Sequence, residues 1–258
     1  FVKDAFLSSK LKGQELQIGI ISTPSKIRLE RAWGFRSLER TPLDLHKLIS
    51  TRDFGIAIKG IFDKEKKVSY MVMLGNGAAS KGETDKGKKI YASLAFEPSK
   101  ALLIEAYGDY EVQVDDKTYY VYQGFASYQG ERGRIGSMYA RRHLKQKVSG
   151  KSSKTYNYDV FSAFAVVHAA KKVDIIARYD RMFGNGFESN YTGHKISYMP
   201  FADNPGVPIN LIIGGISWQI AKAVWVIPNI KHVFYGDSGI EKNLSGFTYI
   251  NMTLYFKF

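Results

Sequence analysis

The sequence predicts an all-β chain, a transmembrane antiparallel up-and-down β-barrel, and three observations carry that expectation. Apolar and polar residues alternate with a period of two along most of the chain. The alternating segments have about the ten residues that a tilted membrane-crossing strand needs. The connections between them are short and long by turns, the two-sided rhythm of a barrel with tight turns at one rim and larger loops at the other.

Thirteen segments are read, over 1–11, 15–23, 53–62, 67–76, 88–97, 101–114, 118–129, 132–145, 156–168, 173–183, 209–219, 222–235 and 246–258. In the second, Leu16, Ile18 and Ile20 share one face, with Gln17, Gly19 and Ile21 on the other. Phe54, Ile56 and Ile58 alternate with Gly55, Ala57 and Lys59 in the third, and Val68, Tyr70, Val72 and Leu74 with Ser69, Met71, Met73 and Gly75 in the fourth. The last has Ile250, Met252, Leu254, Phe256 and Phe258 against Tyr249, Asn251, Thr253, Tyr255 and Lys257. Tyr, Phe, Val and Ile with internal glycine suit strands better than helices. Pro228 sits awkwardly inside its segment, because a proline cannot donate to a sheet ladder, and a bulge or a shorter strand is expected there.

Short connections are Lys12-Gly13, Asp63 to Lys66, Pro98-Ser99, Gly130-Glu131, Ala169 to Lys171 and Ala221. Long ones are 24–52, 77–87, 146–155, 184–208 and 236–245, with Asp115-Asp116-Lys117 short where a long one is due. The last segment runs from the long-loop side to the short-turn side. With an even strand number and both ends on the short-turn side, an odd number of strands is expected ahead of residue 1, three for a barrel of 16 strands or one for 14.

Composition agrees with a polar interior. The 258 residues hold 37 Lys and Arg against 24 Asp and Glu, a formal charge of +13. Mean hydropathy is −0.22, a value that a barrel reaches when one face of every strand is wet. No apolar run of the ~20 residues of a membrane helix occurs. Cysteine is absent, which removes disulfides and thiolate metal sites. A basic excess calls for an anionic partner: nucleic acid, anionic lipid or lipopolysaccharide, or small anions.

Several stretches resemble the phosphate-selective porin O and P family: Leu16 through Pro24, Arg52-Asp53-Phe54-Gly55-Ile56, Tyr70 through Gly77, Ile176-Ala177-Arg178-Tyr179-Asp180, and the paired segments within 211–235. They occur in order over nearly the whole chain. The resemblance implies a 16-stranded barrel, usually trimeric, in the bacterial outer membrane. It makes 1–11 the fourth strand and 24–52 the third outer loop, which folds into the lumen in such porins. The residues behind a phosphate preference have no one-to-one match here. The end of the chain, Leu254-Tyr255-Phe256-Lys257-Phe258, resembles the C-terminal assembly signal of outer-membrane barrels, with Tyr255, Phe256 and Phe258 as its aromatic residues.

One barrel domain over 1–258 is therefore expected, with 24–52 as a pore-constricting loop. That loop carries Lys26, Arg28, Arg31, Arg36, Arg40, Lys47 and Arg52 against Glu30, Glu39 and Asp44, and Trp33 and Phe35 to pin it to the wall. Basic side chains at a constriction select anions, and guanidinium groups suit phosphate and carboxylate. Arg28, Arg31, Arg36, Arg40, Lys47 and Arg52 are the candidate anion contacts of the loop. Lys59 and Arg178 are the candidates on the wall, both on inward-facing positions, with Asp180 a possible partner of Arg178. Tyr107, Tyr110, Tyr119, Tyr120, Tyr122, Tyr156, Tyr158, Trp218, Trp225 and Tyr235 are expected at the membrane interfaces. Arg141-Arg142 allows no uniform facing.

No catalytic constellation is read. His46, His143, His168, His194 and His232 lack zinc spacing, and Ser162 and His168, which share one face of a strand, are six residues apart, too far to touch. The expectation is a porin without cofactor or metal, passing small, preferably anionic, phosphate-like solutes. Its partners would be outer-membrane lipid, lipopolysaccharide and either two further copies of itself or a membrane complex, not nucleic acid. The alternatives are a plugged structural or adhesive barrel that binds through its outer loops, and a soluble β-rich binder of nucleic acid or glycan.

Overall fold

The computed structural model describes residues 3–79, 81–83, 86–112, 117–146, 153–188, 207–236 and 245–257. Thirteen strands form one sheet in chain order, each antiparallel to the next. They are β1 (Ala5–Leu11), β2 (Gln14–Ser22), β3 (Arg52–Ile61), β4 (Val68–Gly75), β5 (Lys88–Phe96), β6 (Leu102–Val112), β7 (Thr118–Gly130), β8 (Gly133–Gln146), β9 (Lys154–Ala170), β10 (Val173–Phe183), β11 (Ile209–Ala221), β12 (Val224–Tyr235) and β13 (Phe247–Phe256). Each lies on one of the alternating segments of the sequence. β1 pairs with β2 and β13 with β12; among the described residues these two strands do not pair with each other, so the sheet is open there.

Short turns bring each pair together. Lys12 and Gly13 both take positive φ, 44° and 86°, as a two-residue hairpin turn matched to strand twist requires. In the β3–β4 turn the Asp63 carboxylate accepts from the backbone N–H of Val68 at 2.7 Å and of Lys67 at 3.0 Å. Those two donors hold its pKa below the usual carboxylate value. Asp115 and Asp116 of the irregular connection, positions 80, 84 and 85 of the 77–87 loop, and most of the connections at 146–155, 184–208 and 236–245 lie outside the described residues, as does Phe258.

The two sheet faces differ as the alternation requires. Outward positions are exposed and apolar: Ile56, Val72, Leu74, Ile90, Leu94, Ile104, Ile175, Ile212, Ile216, Ile230, Ile250, Met252 and Leu254. This is a surface for hydrocarbon, not water. Rings flank it on outward positions. Phe54, Tyr110 and Tyr122 stand toward the long-loop rim, and Phe96, Tyr128, Trp218 and Phe256 toward the short-turn rim. The interface girdle is thus real, but only part of the expected set belongs to it. Tyr107 and Tyr158 are buried on the inner face, and Tyr119, Tyr156, Trp225 and Tyr235 share inner-face parity. Position along a strand puts a ring at a rim; parity alone decides which side of the wall it serves.

Pro228 is the second correction. β12 neither bulges nor ends there. Pairing with β13 continues through Pro228↔Met252, while the β11 ladder lacks the rungs opposite Ile227 and Pro228, between Gly215↔Asn229 and Trp218↔Val226. The missing N–H is absorbed by one gap toward β11. The irregular register falls farther on, between Gln219 and Ala221.

The third difference is helical. Segment 24–52 contains α1 (Pro24–Trp33) and α2 (Pro42–Leu45). Each begins at a Thr-Pro pair, with extended Thr23 or Thr41 before a proline in the first turn. Proline suits that position, where its missing N–H has no helical partner to lose. α1 ends at Gly34, whose φ of 71° is left-handed and whose N–H returns to the Glu30 carbonyl. A Cβ at Gly34 would also meet the Arg134 guanidinium at 2.4 Å.

Candidate functional site

The segment between β2 and β3 turns inward instead of standing above the rim. Its two ends are tied together: the Thr23 N–H donates to the Thr51 carbonyl at 3.1 Å, and Thr23 Oγ1 to the Ser50 carbonyl at 2.7 Å. From that neck α1 packs against the inner face of β5 to β8, and α2 against β9. Leu29, Trp33, Phe35, Leu38, Leu43, Leu45 and Leu48 form one buried cluster with wall residues such as Met73, Val121, Phe125, Met138, Phe164 and Ile213. The Trp33 ring meets Phe35 and Phe164 edge-on, at 5.8 and 5.4 Å between centroids.

Cations of the wall hold the backbone of this segment. Arg134 on β8 donates to the Trp33 carbonyl at 3.1 Å. Lys231 on β12 donates to the Leu38 carbonyl at 2.9 Å and pairs with Glu39 at 2.8 Å. Arg178 on β10 donates to the Arg40 carbonyl at 2.5 Å, and Arg142 on β8 to the Lys47 carbonyl at 3.4 Å. The contacts reach β12, so the segment crosses the interior from its origin at β2 to the far wall. Alternation hinted at these residues, since Lys231 and Arg178 are inward positions within apolar strands. Their targets were invisible, because a backbone carbonyl leaves no trace in a sequence.

The candidate anion contacts fall into three groups. Arg28 and Arg178 are spent on carboxylates. Arg28 pairs with Glu105 at 2.8 Å and donates to Ser69 at 2.9 Å. Arg178 is fully buried, forks onto Asp180 at 2.9 Å or less, and lies 5.2 Å from the Trp33 ring. These two anchor the segment; Arg178 is enclosed with its carboxylate, while Arg28, paired with Glu105, is part-exposed and lines a cavity with Lys59. Arg31, Arg36, Arg52 and Lys59 are paired but partly exposed. Arg31 meets Glu97 at 3.5 Å, Arg36 meets Glu30 and Asp44 at 3.2 and 3.3 Å, Arg52 meets Asp4 at 3.0 Å, and Lys59 meets Glu15 at 3.3 Å. Lys59 shares its face with buried Asp53 and Ala57, the inner face. Arg40 and Lys47 are exposed and make no ion pair among the described residues.

Burial of the segment also reaches two titratable groups in it. His46, fully enclosed beside Arg178, is pushed down to about 3 by loss of solvent and then by the Arg178 charge. Lys26 is lowered by burial, against the pull of Glu30. On the outward side Arg141 forks onto Asp159 at 2.7 and 3.2 Å, while Arg142 turns inward over the rings of Tyr119 and Tyr158. The two adjacent arginines thus serve opposite faces. Tyr255 lies on the inner face of β13 and Phe256 on the outer.

The chain superposes on OmpT of Vibrio cholerae, described as outer-membrane expressed, over its whole length and 81% of that protein, with a TM-score of 0.68 at 14% identity. A trimer form of in-vitro folded OmpT matches 98% of this chain and 78% of that one, with a TM-score of 0.60 at 13% identity. An anion-selective porin from Comamonas acidovorans matches 98% of this chain and 73% of that one, with a TM-score of 0.65 at 10% identity. The fold is that of an outer-membrane β-barrel. The apolar outer face with its two belts of rings fits a bilayer. No protein-family model matches the sequence, and no curated protein matches it.

Proposed function

We propose that the chain is an outer-membrane porin through which small, preferably anionic, phosphate-like solutes diffuse without covalent chemistry. What supports this reading is the inward course of segment 24–52, which packs on the inner face of β5 to β9 and carries the exposed Arg40 and Lys47. Arg31, Arg36 and Lys59, only partly screened by their partners, add positive potential along the same passage. A narrow path lined by one sign of charge in low-dielectric walls focuses that potential, and cations there replace part of an anion's hydration. The anion-selective porin from Comamonas acidovorans and the resemblance to the phosphate-selective porins support the same reading, and the trimer form of OmpT supports a homotrimer embedded in lipid and lipopolysaccharide. Reversal potentials across a planar bilayer under a salt gradient test it. Anion preference is expected; cation preference overturns the selectivity.

A second reading has one observation in its favour. The segment is fixed to the wall by an apolar cluster, as a plug would be. A plugged barrel serves as a structural or adhesive protein through its outer loops, and its signature is an inserted protein that carries no current.

A further inference from the structure

A cavity of about 310 Å³ opens at the short-turn end of the inner face, away from segment 24–51. Its walls include Glu131 from the β7–β8 turn, His168, Lys171, Lys172 and Asp174 from the β9–β10 hairpin, and Gln219 and Trp225 from β11 and β12. Gln219 and Trp225 face each other across the β11–β12 ladder, both on inner-face positions. Behind Trp225, across the next ladder, stands Tyr255, with the two rings 5.6 Å apart and tilted by 39°. On the other side His168 Nδ1 and Asp174 Oδ1 are 2.6 Å apart, which fixes the carboxylate in the cavity wall.

Trp225, the second residue of β12, is half-buried on the inner face beside these turns. The indole offers a flat apolar face of the kind on which a saturated ring packs its C–H side. Around it stand planar hydrogen-bonding groups, the Gln219 amide and the Asp174 and Glu131 carboxylates, each able to take two neighbouring hydroxyls. The adjacent ammonium groups of Lys171 and Lys172, both exposed, complement an anionic substituent at the rim. The volume is near the lower end of the range for small-molecule sites.

We propose that this cavity binds a hydroxylated ring bearing an anionic group, with sugar phosphates as the ligand class. The ring stacks on Trp225, its hydroxyls pair with Gln219, Asp174 and Glu131, and the phosphate lies against Lys171 and Lys172. Its role as a station on a solute's way through the barrel rests on the channel reading above; the binding itself does not.

The test uses the full chain in detergent, titrated with glucose 6-phosphate, glucose or inorganic phosphate while tryptophan emission is followed. Glucose 6-phosphate should give a saturable change that persists in Trp218→Phe, whose ring faces outward, and disappears in Trp225→Phe. The double change Lys171→Gln with Lys172→Gln should weaken glucose 6-phosphate about tenfold or more, the loss of at least one charge-assisted contact, and leave glucose unaffected. Gln219→Ala should weaken both sugars and spare phosphate. An identical signal in Trp225→Phe and the parent, or inorganic phosphate matching glucose 6-phosphate, overturns the site. Bilayer recordings on the same preparation separate the two readings. Binding without current refutes the channel and keeps the site; current without a Trp225-dependent signal refutes the site and keeps the channel.

Discussion

Arg178 on β10 and Arg40 on the inner segment are joined by a hydrogen bond of 2.5 Å, from guanidinium Nη1 to main-chain carbonyl, across 138 residues of sequence. The same guanidinium forks onto Asp180. One buried cation thus neutralises a wall carboxylate and fixes the segment at the point where it reaches the far wall.

Removal of that cation should be costly. Arg178→Ala leaves Asp180 buried without its partner and frees the Arg40 carbonyl, and breaking a buried pair from one side costs about 3–5 kcal/mol. Urea unfolding in detergent should show a loss of that size. Replacement of both residues by apolar ones of similar size, Arg178→Met with Asp180→Leu, should lose clearly less. Equal losses for the single and the double variant would refute the role of the pair.

Arg40 and Lys47 predict the opposite profile. Both are exposed and bear no ion pair among the described residues, so Arg40→Gln and Lys47→Gln should change stability by no more than about 0.5 kcal/mol. Anion preference in reversal-potential measurements should nevertheless fall in each, and fall further in the double variant. Unaltered selectivity would remove these side chains from the passage.

His46 makes stability depend on pH. Its folded-state value, about 3, lies below the ordinary 6.5, so the unfolded chain binds the extra proton. Stability from this group is complete above pH 6.5 and is lost as the pH falls from there toward 3. Between pH 7 and pH 5 the loss should be about 2 kcal/mol by linkage. His46→Leu should remove that part of the dependence, as read from unfolding free energies at the two pH values. An unchanged slope in His46→Leu would show that other groups set it.

Ile216 tests the lipid face. It is about half exposed, on an outward position of β11. Ile216→Arg should destabilise the protein in lipid bilayers by about 2–4 kcal/mol, the depth-dependent cost of a cation among acyl chains. Thr253→Arg, on the inner face of β13, should cost clearly less. Comparable costs at the two sites would contradict the assignment of faces.

The strands were legible because a period of two leaves a mark at every residue. Leu16, Ile18 and Ile20 against Gln17 and Ile21, or Ile250, Met252 and Leu254 against Asn251 and Thr253, state the facing of a strand without reference to any neighbour. The rhythm of short and long connections then fixed chain order and antiparallel pairing, since a two-residue turn such as Lys12-Gly13 leaves no other option. Segment 24–52 was legible as a basic loop with aromatic anchors. Its helices were less so, although Thr23-Pro24 and Thr41-Pro42 both mark helix starts.

By itself, the sequence determined the all-β class, the positions of the strands, the facing of their side chains and the charge of the inner segment. Only the tertiary structure decided which of those charges remain available. Arg28, Arg40 and Arg178 look alike in sequence, but Glu105 neutralises the first, Asp180 neutralises the third, and no carboxylate among the described residues pairs with the guanidinium of the second. The physical reason is range. Alternation and turn chemistry act between residues a few positions apart, while a buried ion pair depends on two strands and a loop that meet only when the sheet has curved around the segment it contains.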